Sequence, residues 1–525
     1  MNRSNAFRMI AFVVVAAIFV AVRFWNITAT CLWFDEIFSV HAAEHSWNSI
    51  LDFVAVDLIH PPLFYLLLKV WIAIGGESLI WLRSLPVLFS IIAIVPFGLL
   101  CREMRLGLWT SLFDFLLIAV NGSLIKYAQE VRMYSMLMCM SLFSIWLFLR
   151  YFRSRKGIVA LTVVNILLIY THYFGWWMVL VEAVVLVCTS YEKSAGLFNS
   201  KLSKNIRKIL AIAGIPFLTI IPWFVAVVKA ASSGSNISQN IGWMQRPDVL
   251  DVVHLCFSIV EPFYYAATSV DARSVYSISL PMAVTATGTV TAYFVRIGKS
   301  DLESHKLQRI LAAFCIIQFF LVLVSSWLLP YSIWGSRHLI IIFVPASILI
   351  ANAVTHFKNL KIRTLISTIL VLFVCYAFVV ETSRPITQPA WCGFEPIADK
   401  LQSQLRGPIY VFEDLAAYHL WFRFRNCPDA KLRQRVVKVD GFPGMPEDKA
   451  YFIPRGLDDE FLTHGTLPTH AGFWIVYRAT SFDLTKPPLD MLTMNGMKIT
   501  QREVYDGGDS KIYAVYLEGS ADKSY

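Results

Sequence analysis

The sequence predicts a polytopic α-helical membrane protein with a small α/β domain at its C-terminal end, and three observations predict it. Of 525 residues, 57% are hydrophobic and only 16% are charged, whereas a soluble domain carries about 25% charged residues. Apolar runs of spanning length recur from residue 7 to residue 381. Beyond residue 383 the pattern changes to short runs of β-branched and aromatic residues separated by polar stretches.

The formal net charge is +10. The basic residues sit in short loops between apolar runs, as cytoplasmic loops do under the positive-inside rule. No nucleic-acid-binding motif accompanies them, so the charge reports orientation and not a nucleic-acid partner.

With about 20 mostly apolar residues taken as a span, eleven segments qualify: 7–27, 79–100, 108–126, 133–150, 158–173, 175–190, 209–228, 275–295, 309–329, 338–356 and 364–381. The first is expected to be an uncleaved helix, because no small-residue cleavage pattern follows it and many spans do. Arg3 and Arg8 precede the first span, and Arg102 and Arg105 follow the second. Arg150, Arg153, Arg155 and Lys156 follow the fourth, and Lys193, Lys201, Lys204, Arg207 and Lys208 follow the sixth. Arg296, Lys299, Lys306 and Arg309 follow the eighth, and Lys358, Lys361 and Arg363 follow the tenth. All six sets fall on one side, which is expected to be the cytoplasm.

That register requires the apolar stretch Pro62 to Ile74 not to span. It is short, carries Lys69 and ends at Gly75-Gly76, so a juxtamembrane or re-entrant helix on the outer face is expected. The N-terminus is then inside and the C-terminus outside. The outer face holds loop 26–78, loop 229–271 and a domain over 384–525, attached to a membrane domain over 1–383. Loops this long are uncommon as mere connectors.

In the C-terminal domain, Ile409 to Phe412, Val436 to Val439, Phe473 to Tyr477 and Ile512 to Tyr516 read as strands, and Leu415 to Phe424 as a helix. Nine cysteines are scattered without a CxxC or Cys/His cluster, which argues against a zinc site. Cys392 and Cys427 both fall in this domain and are candidates to pair in an oxidising compartment, although sequence separation says nothing of their distance in space.

The stretch Trp33-Phe34-Asp35-Glu36 puts two adjacent carboxylates just past the first span. Acids there lose solvation and suggest use as a base, a metal ligand or a cation partner, or else are two solvated loop acids. The topology gathers further polar residues on the same face: His60-Pro61-Pro62, Gln129, Glu130, Arg132, Tyr134, His172, Tyr173, Arg337 and His338. Singly, each has a plain explanation, such as a snorkelling Arg or an interfacial aromatic. Together, acids, His and Arg at a water–lipid boundary are what group transfer from a lipid phosphate requires.

Leu32-Trp33-Phe34-Asp35-Glu36-Ile37-Phe38-Ser39, His60-Pro61-Pro62-Leu63-Phe64-Tyr65, Leu82-Arg83-Ser84-Leu85-Pro86 and Gln129-Glu130-Val131-Arg132-Met133-Tyr134-Ser135 resemble bacterial membrane glycosyltransferases of the GT-C fold. The nearest group looks like the superfamily of protein O-mannosyltransferases and lipid A aminoarabinose transferases. The resemblance is strongest over residues 7–180 and continues weakly through Ser336-Arg337-His338-Leu339 and Pro345. His60 stands where the lipid A transferases carry Lys, and His338 where Tyr is more usual.

The resemblance implies a GT-C fold with about 11 transmembrane helices. It also implies a polyprenyl-phosphate sugar donor whose phosphate sits at the outer interface, and an acceptor hydroxyl on a glycan, lipid or protein. Asp35 matches the family acid and is assigned as general base, with Glu36 orienting the acceptor or Asp35. A departing phosphate needs cations in a partly dehydrated site. Arg337 is the first candidate for it because Arg offers a forked set of donors. Arg132 is the second, and His60, Lys69 and His172 follow. Some eukaryotic-type relatives bind metal, but two adjacent acids without further ligands do not establish a site for a divalent ion that wants several oxygen donors, so a divalent metal stays an unsupported alternative and no cofactor is assigned. The competing readings are a transporter or lipid flippase, expected to show broken helices and midplane ionisable groups, and a GT-C scaffold that binds lipid-linked sugar without chemistry.

Overall fold

The structure is a computed structural model. It describes residues 3–191, 207–233, 237–263, 272–297, 303–357, 359–383, 389–404, 406–425, 435–445, 462–465, 467–468, 471–506 and 510–519. Lys193, Lys201, Lys204, Lys299, Lys358 and Cys427 lie outside the described residues. The chain divides into two compact units. A helical unit comprises Met1–Ile27, Leu58–Ser233 and Met244–Pro385, and a sheet unit comprises Thr28–Asp57, Gly234–Trp243 and Ile386–Tyr525.

Every one of the eleven apolar segments expected to span is helical. Among the described residues, five helices are long and apolar enough to cross a membrane, or six if the bent pair Arg207–Thr219 and Ile221–Ser232 is one span. The chain is a multi-pass membrane protein. The remaining apolar helices are shorter, and local breaks explain some of that. Segment 108–126 is two helices, Leu108–Val120 and Gly122–Gln129, parted at Asn121.

Asn121 earns that position chemically. Its Oδ1 accepts from the Leu124 amide at 2.9 Å, capping the second helix. Its Nδ2 donates to the carbonyls of Ser258 and Ile259, both at 3.0 Å, at the end of helix Val249–Val260. One side chain thus satisfies orphan groups at two helix ends.

Arg23, in the first helix, is fully buried. Its guanidinium donates to Ser90 Oγ at 2.7 Å and to the carbonyls of Phe19 and Ala119 at 3.0 Å and Ile118 at 3.2 Å. A buried charge is tolerated when its donors are met in this way.

The short stretch after Pro62 is the helix Leu63–Gly75. It folds back on helix Leu79–Ile92 through Trp71 and Trp81, which stack at 4.4 Å and exchange indole N–H bonds to each other's carbonyls at 2.8 Å. The turn needs its glycines: a Cβ at Gly75 would meet Trp81 at 2.1 Å, and Gly76 has φ +80°.

The sheet unit holds six strands: β1 Ile409–Val411, β2 Val436–Asp440, β3 Leu462–His464, β4 Phe473–Ala479, β5 Met497–Asp506 and β6 Lys511–Gly519. Their spatial order is β3-β2-β1-β4-β6-β5. The first four are mutually parallel, and β6 and β5 add antiparallel. Helix Asp414–Phe424 follows β1. Phe412, Phe473, Ile475, Leu489, Val515 and Leu517 build the core on the sheet. Strands β3 and β5 and the helix Phe394–Ser403 add to the elements expected from sequence.

Cys392 is bonded to Cys31, with Cα atoms 5.5 Å apart, a normal separation for a disulfide. Cys392 is therefore not free to pair with Cys427, the candidate read from sequence. The reason is tertiary: Thr28–Asp57 folds as part of the sheet unit, which brings Cys31 to Cys392 across 361 residues of sequence.

Candidate functional site

The two acids are not in a loop. They occupy the first turn of the helix Phe34–Glu44, where negative charge meets the positive end of the helix dipole. Glu36 is buried, and its Oε2 accepts from the Trp33 amide at 3.0 Å. This is the reach-back of an N3 acid onto the residue preceding the helix. Asp35 is half-buried, and its carbonyl accepts from Ser39 Oγ at 3.1 Å. Glu36 thereby fixes the turn that carries Asp35.

The same helix is seated within the sheet unit by aromatic and polar contacts. His41 Nδ1 lies 2.9 Å from the Tyr418 hydroxyl. Tyr418 packs on Phe34 at 5.2 Å and stacks with Trp421 at 5.7 Å. Glu44 pairs with Arg425.

A second constellation lies in the helical unit. Arg132 is buried, at 2% exposure. Its Nη2 is 3.0 Å from His60 Nε2, and its Nη1 donates to the Tyr65 hydroxyl at 3.3 Å. His60 faces His172 at 5.4 Å between ring centroids, and His172 faces His338 at 5.5 Å. Tyr134 stands 6.1 Å from His172 and 6.4 Å from His338. Phe174 stacks on His338 at 4.6 Å, and His338 Nδ1 lies 3.0 Å from the Ile333 carbonyl.

His172 occupies the link between helices Ile158–Thr171 and Phe174–Tyr191. The Phe174 amide donates to its Nδ1 at 3.1 Å, so the ring proton is assigned to Nε2. That Nε2 is buried and meets no hydrogen-bond acceptor among the described residues. Around it stand His60 and His338, with Arg132 on His60 and Arg337 next to His338 in the chain. A buried N–H without an acceptor, among arginines, is complementary to an anionic or hydroxyl-rich ligand.

The link is tight. The Gly175 amide donates to the His172 carbonyl at 2.8 Å, and a Cβ at Gly175 would meet the Leu168 carbonyl oxygen at 2.5 Å.

Six residues singled out from sequence, His60, Arg132, Tyr134, His172, Arg337 and His338, therefore fall together in one neighbourhood of the helical unit. Tyr173 turns to a different set, packing on Trp176 at 4.9 Å and accepting from Trp223 Nε1 at 3.2 Å. Lys69 lies on the Leu63–Gly75 helix, four positions after Tyr65 and so on the same helix face. Gln129 donates to the carbonyls of Arg23 and Trp25, and Glu130 pairs with Lys126 at 3.9 Å. Tyr65 and Phe174 complete the cluster without having been singled out. Both lie within five residues of a candidate histidine, which is the signal that could have found them. No group of three or more His, Cys, Asp and Glu side chains arranged to hold a metal occurs among the described residues.

No sequence-family model matches the chain, and no curated protein is a significant sequence relative. Solved structures do match. ArnT from Cupriavidus metallidurans bound to undecaprenyl phosphate has a TM-score of 0.56 at 13% identity, covering 96% of this chain and 97% of that one. The apo state of the same protein gives a TM-score of 0.56 at 14% identity with the same coverage. The Archaeoglobus fulgidus oligosaccharyltransferase in complex with Zn and sulfate has a TM-score of 0.50 at 13% identity, covering 89% of this chain and 67% of that one. The chain has the GT-C fold of these proteins.

Proposed function

We propose that this chain is an integral-membrane glycosyltransferase that moves a sugar from a polyprenyl-phosphate donor to an acceptor hydroxyl at the outer face of the plasma membrane. The observation that carries the reading is the buried Arg132–His60–His172 cluster with its unmet Nε2–H donor, in a chain of GT-C fold over nearly its full length. Undecaprenyl phosphate bound to ArnT supports a lipid phosphate as the ligand.

In this reading Asp35 takes the proton of the acceptor hydroxyl. The acceptor oxygen then bonds to the anomeric carbon from the face opposite the phosphate. The bond between that carbon and the phosphate oxygen breaks, and polyprenyl phosphate leaves with the electron pair, inverting the sugar. Arg337 and Arg132 offset the charge that develops on the leaving phosphate. The neutral His172 donates a hydrogen bond without adding to the charge. Glu36 acts through the helix turn that carries Asp35. The Cys31–Cys392 disulfide supports an oxidising, extracytoplasmic location for the sheet unit.

Transport is the reading that buried intramembrane acids favour. Asp114 and Glu182 are both buried in the helical unit. Each is held by helix-packing partners, however: Ser347 on Asp114 at 2.6 Å, and Ser144 and Asn165 on Glu182. The deciding experiment incubates purified protein with radiolabelled polyprenyl-phosphate sugars and host membrane extract. Transfer of label to an acceptor supports the enzyme. Movement of donor across proteoliposomes without transfer supports transport.

A further inference from the structure

The acidic helix Phe34–Glu44 is held by the C-terminal portion of the sheet unit along its whole length. Three residues before its first turn, Cys31 is bonded to Cys392, and the Cys31 amide also reaches the Cys392 sulfur at 3.1 Å. Two turns on, His41 meets the Tyr418 hydroxyl at 2.9 Å. At its end, Glu44 pairs with Arg425. The helix has 11 residues, and isolated helices of that length are marginal in water. Its first turn carries the reach-back bond from Glu36. Its register thus depends on the contacts that seat it.

We propose that Tyr418 and the Cys31–Cys392 disulfide are positioning residues for Asp35, so that the enzyme gains full turnover only once this disulfide has formed. The inference rests on the reading of Asp35 as general base. Formation converts two thiols to the disulfide with loss of two protons and two electrons. The electron acceptor is a dithiol–disulfide oxidoreductase, or another disulfide, of the outer compartment. In the reverse direction a phosphine reductant takes up oxygen from water and returns both thiols. Without the tether the helix keeps its sequence and its acids but loses the fixed starting point of its first turn. General-base catalysis needs that point held, because a displacement of about 1 Å can cost on the order of 100-fold in rate.

The test uses the full-length protein in nanodiscs, in four forms: oxidised wild type, wild type treated with a phosphine reductant, the Cys31→Ser/Cys392→Ser double variant, and Tyr418→Phe. Three quantities are read: the stoichiometry and Kd of undecaprenyl phosphate binding, sugar transfer per binding-competent molecule, and hydrogen exchange of the Phe34–Glu44 amides. Reduction and the double variant are expected to lower turnover per binding-competent molecule about 10- to 100-fold, to leave binding unchanged and to speed exchange in this helix. Tyr418→Phe is expected to do the same to a smaller extent, and reoxidation of wild type to restore it. A loss of binding stoichiometry in step with turnover would overturn the proposal, since that is the mark of general unfolding. Unchanged turnover with unchanged exchange would overturn it as well. If oxidised wild type binds undecaprenyl phosphate yet transfers no sugar, the enzymatic reading fails. The exchange comparison still decides whether the tether positions the helix.

Discussion

Arg132 and His60, 72 residues apart in sequence, meet in the interior of the helical unit with Nη2 3.0 Å from Nε2. The same guanidinium donates to Tyr65 through Nη1, so the planar fork is held by His60 just before helix Leu63–Gly75 and by Tyr65 in its first turn. A lysine offers a point charge and no fork. Arg132→Lys is expected to raise the donor KM about tenfold, equivalent to about 1.4 kcal/mol. Arg337→Ala is expected to raise donor KM, lower kcat, or both. Steady-state kinetics across a donor series checks both: an unchanged KM for Arg132→Lys, with KM and kcat both unchanged for Arg337→Ala, would place the phosphate elsewhere.

Asp35 sits half-buried in a helix turn whose geometry Glu36 fixes. Asp35→Asn keeps the size of the side chain and removes the base. Turnover is expected to drop by about 100- to 10,000-fold, while undecaprenyl phosphate binding changes by less than about threefold. A binding assay beside a transfer assay separates the two, and turnover at the wild-type level would remove Asp35 from the mechanism.

Gly175 has no room for a side chain, since a Cβ would lie 2.5 Å from the Leu168 carbonyl oxygen. Gly175→Ala must push the 172–174 link away from helix Ile158–Thr171. Donor affinity is expected to fall about tenfold or more, with overpacking costing about 1–3 kcal/mol in stability. Thermal unfolding and donor titration on the same preparation check it.

His419 is buried in the sheet unit, and burial lowers its pKa to about 3. The unfolded chain therefore binds a proton that the folded chain refuses. Stability from this group is full above the unfolded histidine value, near 6.5, and is lost as pH falls toward the folded value. At pH 5 the loss is about 2 kcal/mol. His419 Nε2 also has no hydrogen-bond partner among the described residues, so an apolar replacement removes a cost. His419→Leu is expected to raise Tm at pH 5 more than at pH 7.5. Equal shifts at the two pH values would show that the group does not titrate as described.

The helices were legible because lipid-facing and packed segments alike need unbroken apolar runs, and strands β1, β2, β4 and β6 because each is an apolar β-branched or aromatic run. Strand β3 has three residues and β5 is largely polar, so neither carries such a run. Asp35 and Glu36 were expected in loop 26–78 because they follow the first apolar span, 7–27, without an apolar run of their own. The first-turn acids and the Glu36 reach-back are helix-start signals that were present and not used. The His60–Arg132–His172 neighbourhood followed from topology and resemblance. Tyr65 escaped because nothing in a tyrosine on an apolar helix tells which way its hydroxyl points. The Cys31–Cys392 pairing was out of reach, since no local pattern says that the first loop folds with the C-terminal domain.

That pairing also sets an order of events in biosynthesis. Cys31 leaves the ribosome 361 residues before Cys392, with nearly all the apolar segments made in between. The bond cannot close until those segments have been synthesised. A chain that ends before Cys392 carries both carboxylates and the packing of Phe53 on the acidic helix, yet lacks Cys392, Tyr418 and Arg425. The covalent link between the acidic segment and Cys392 is thus a late event, closed only after the intervening helices exist.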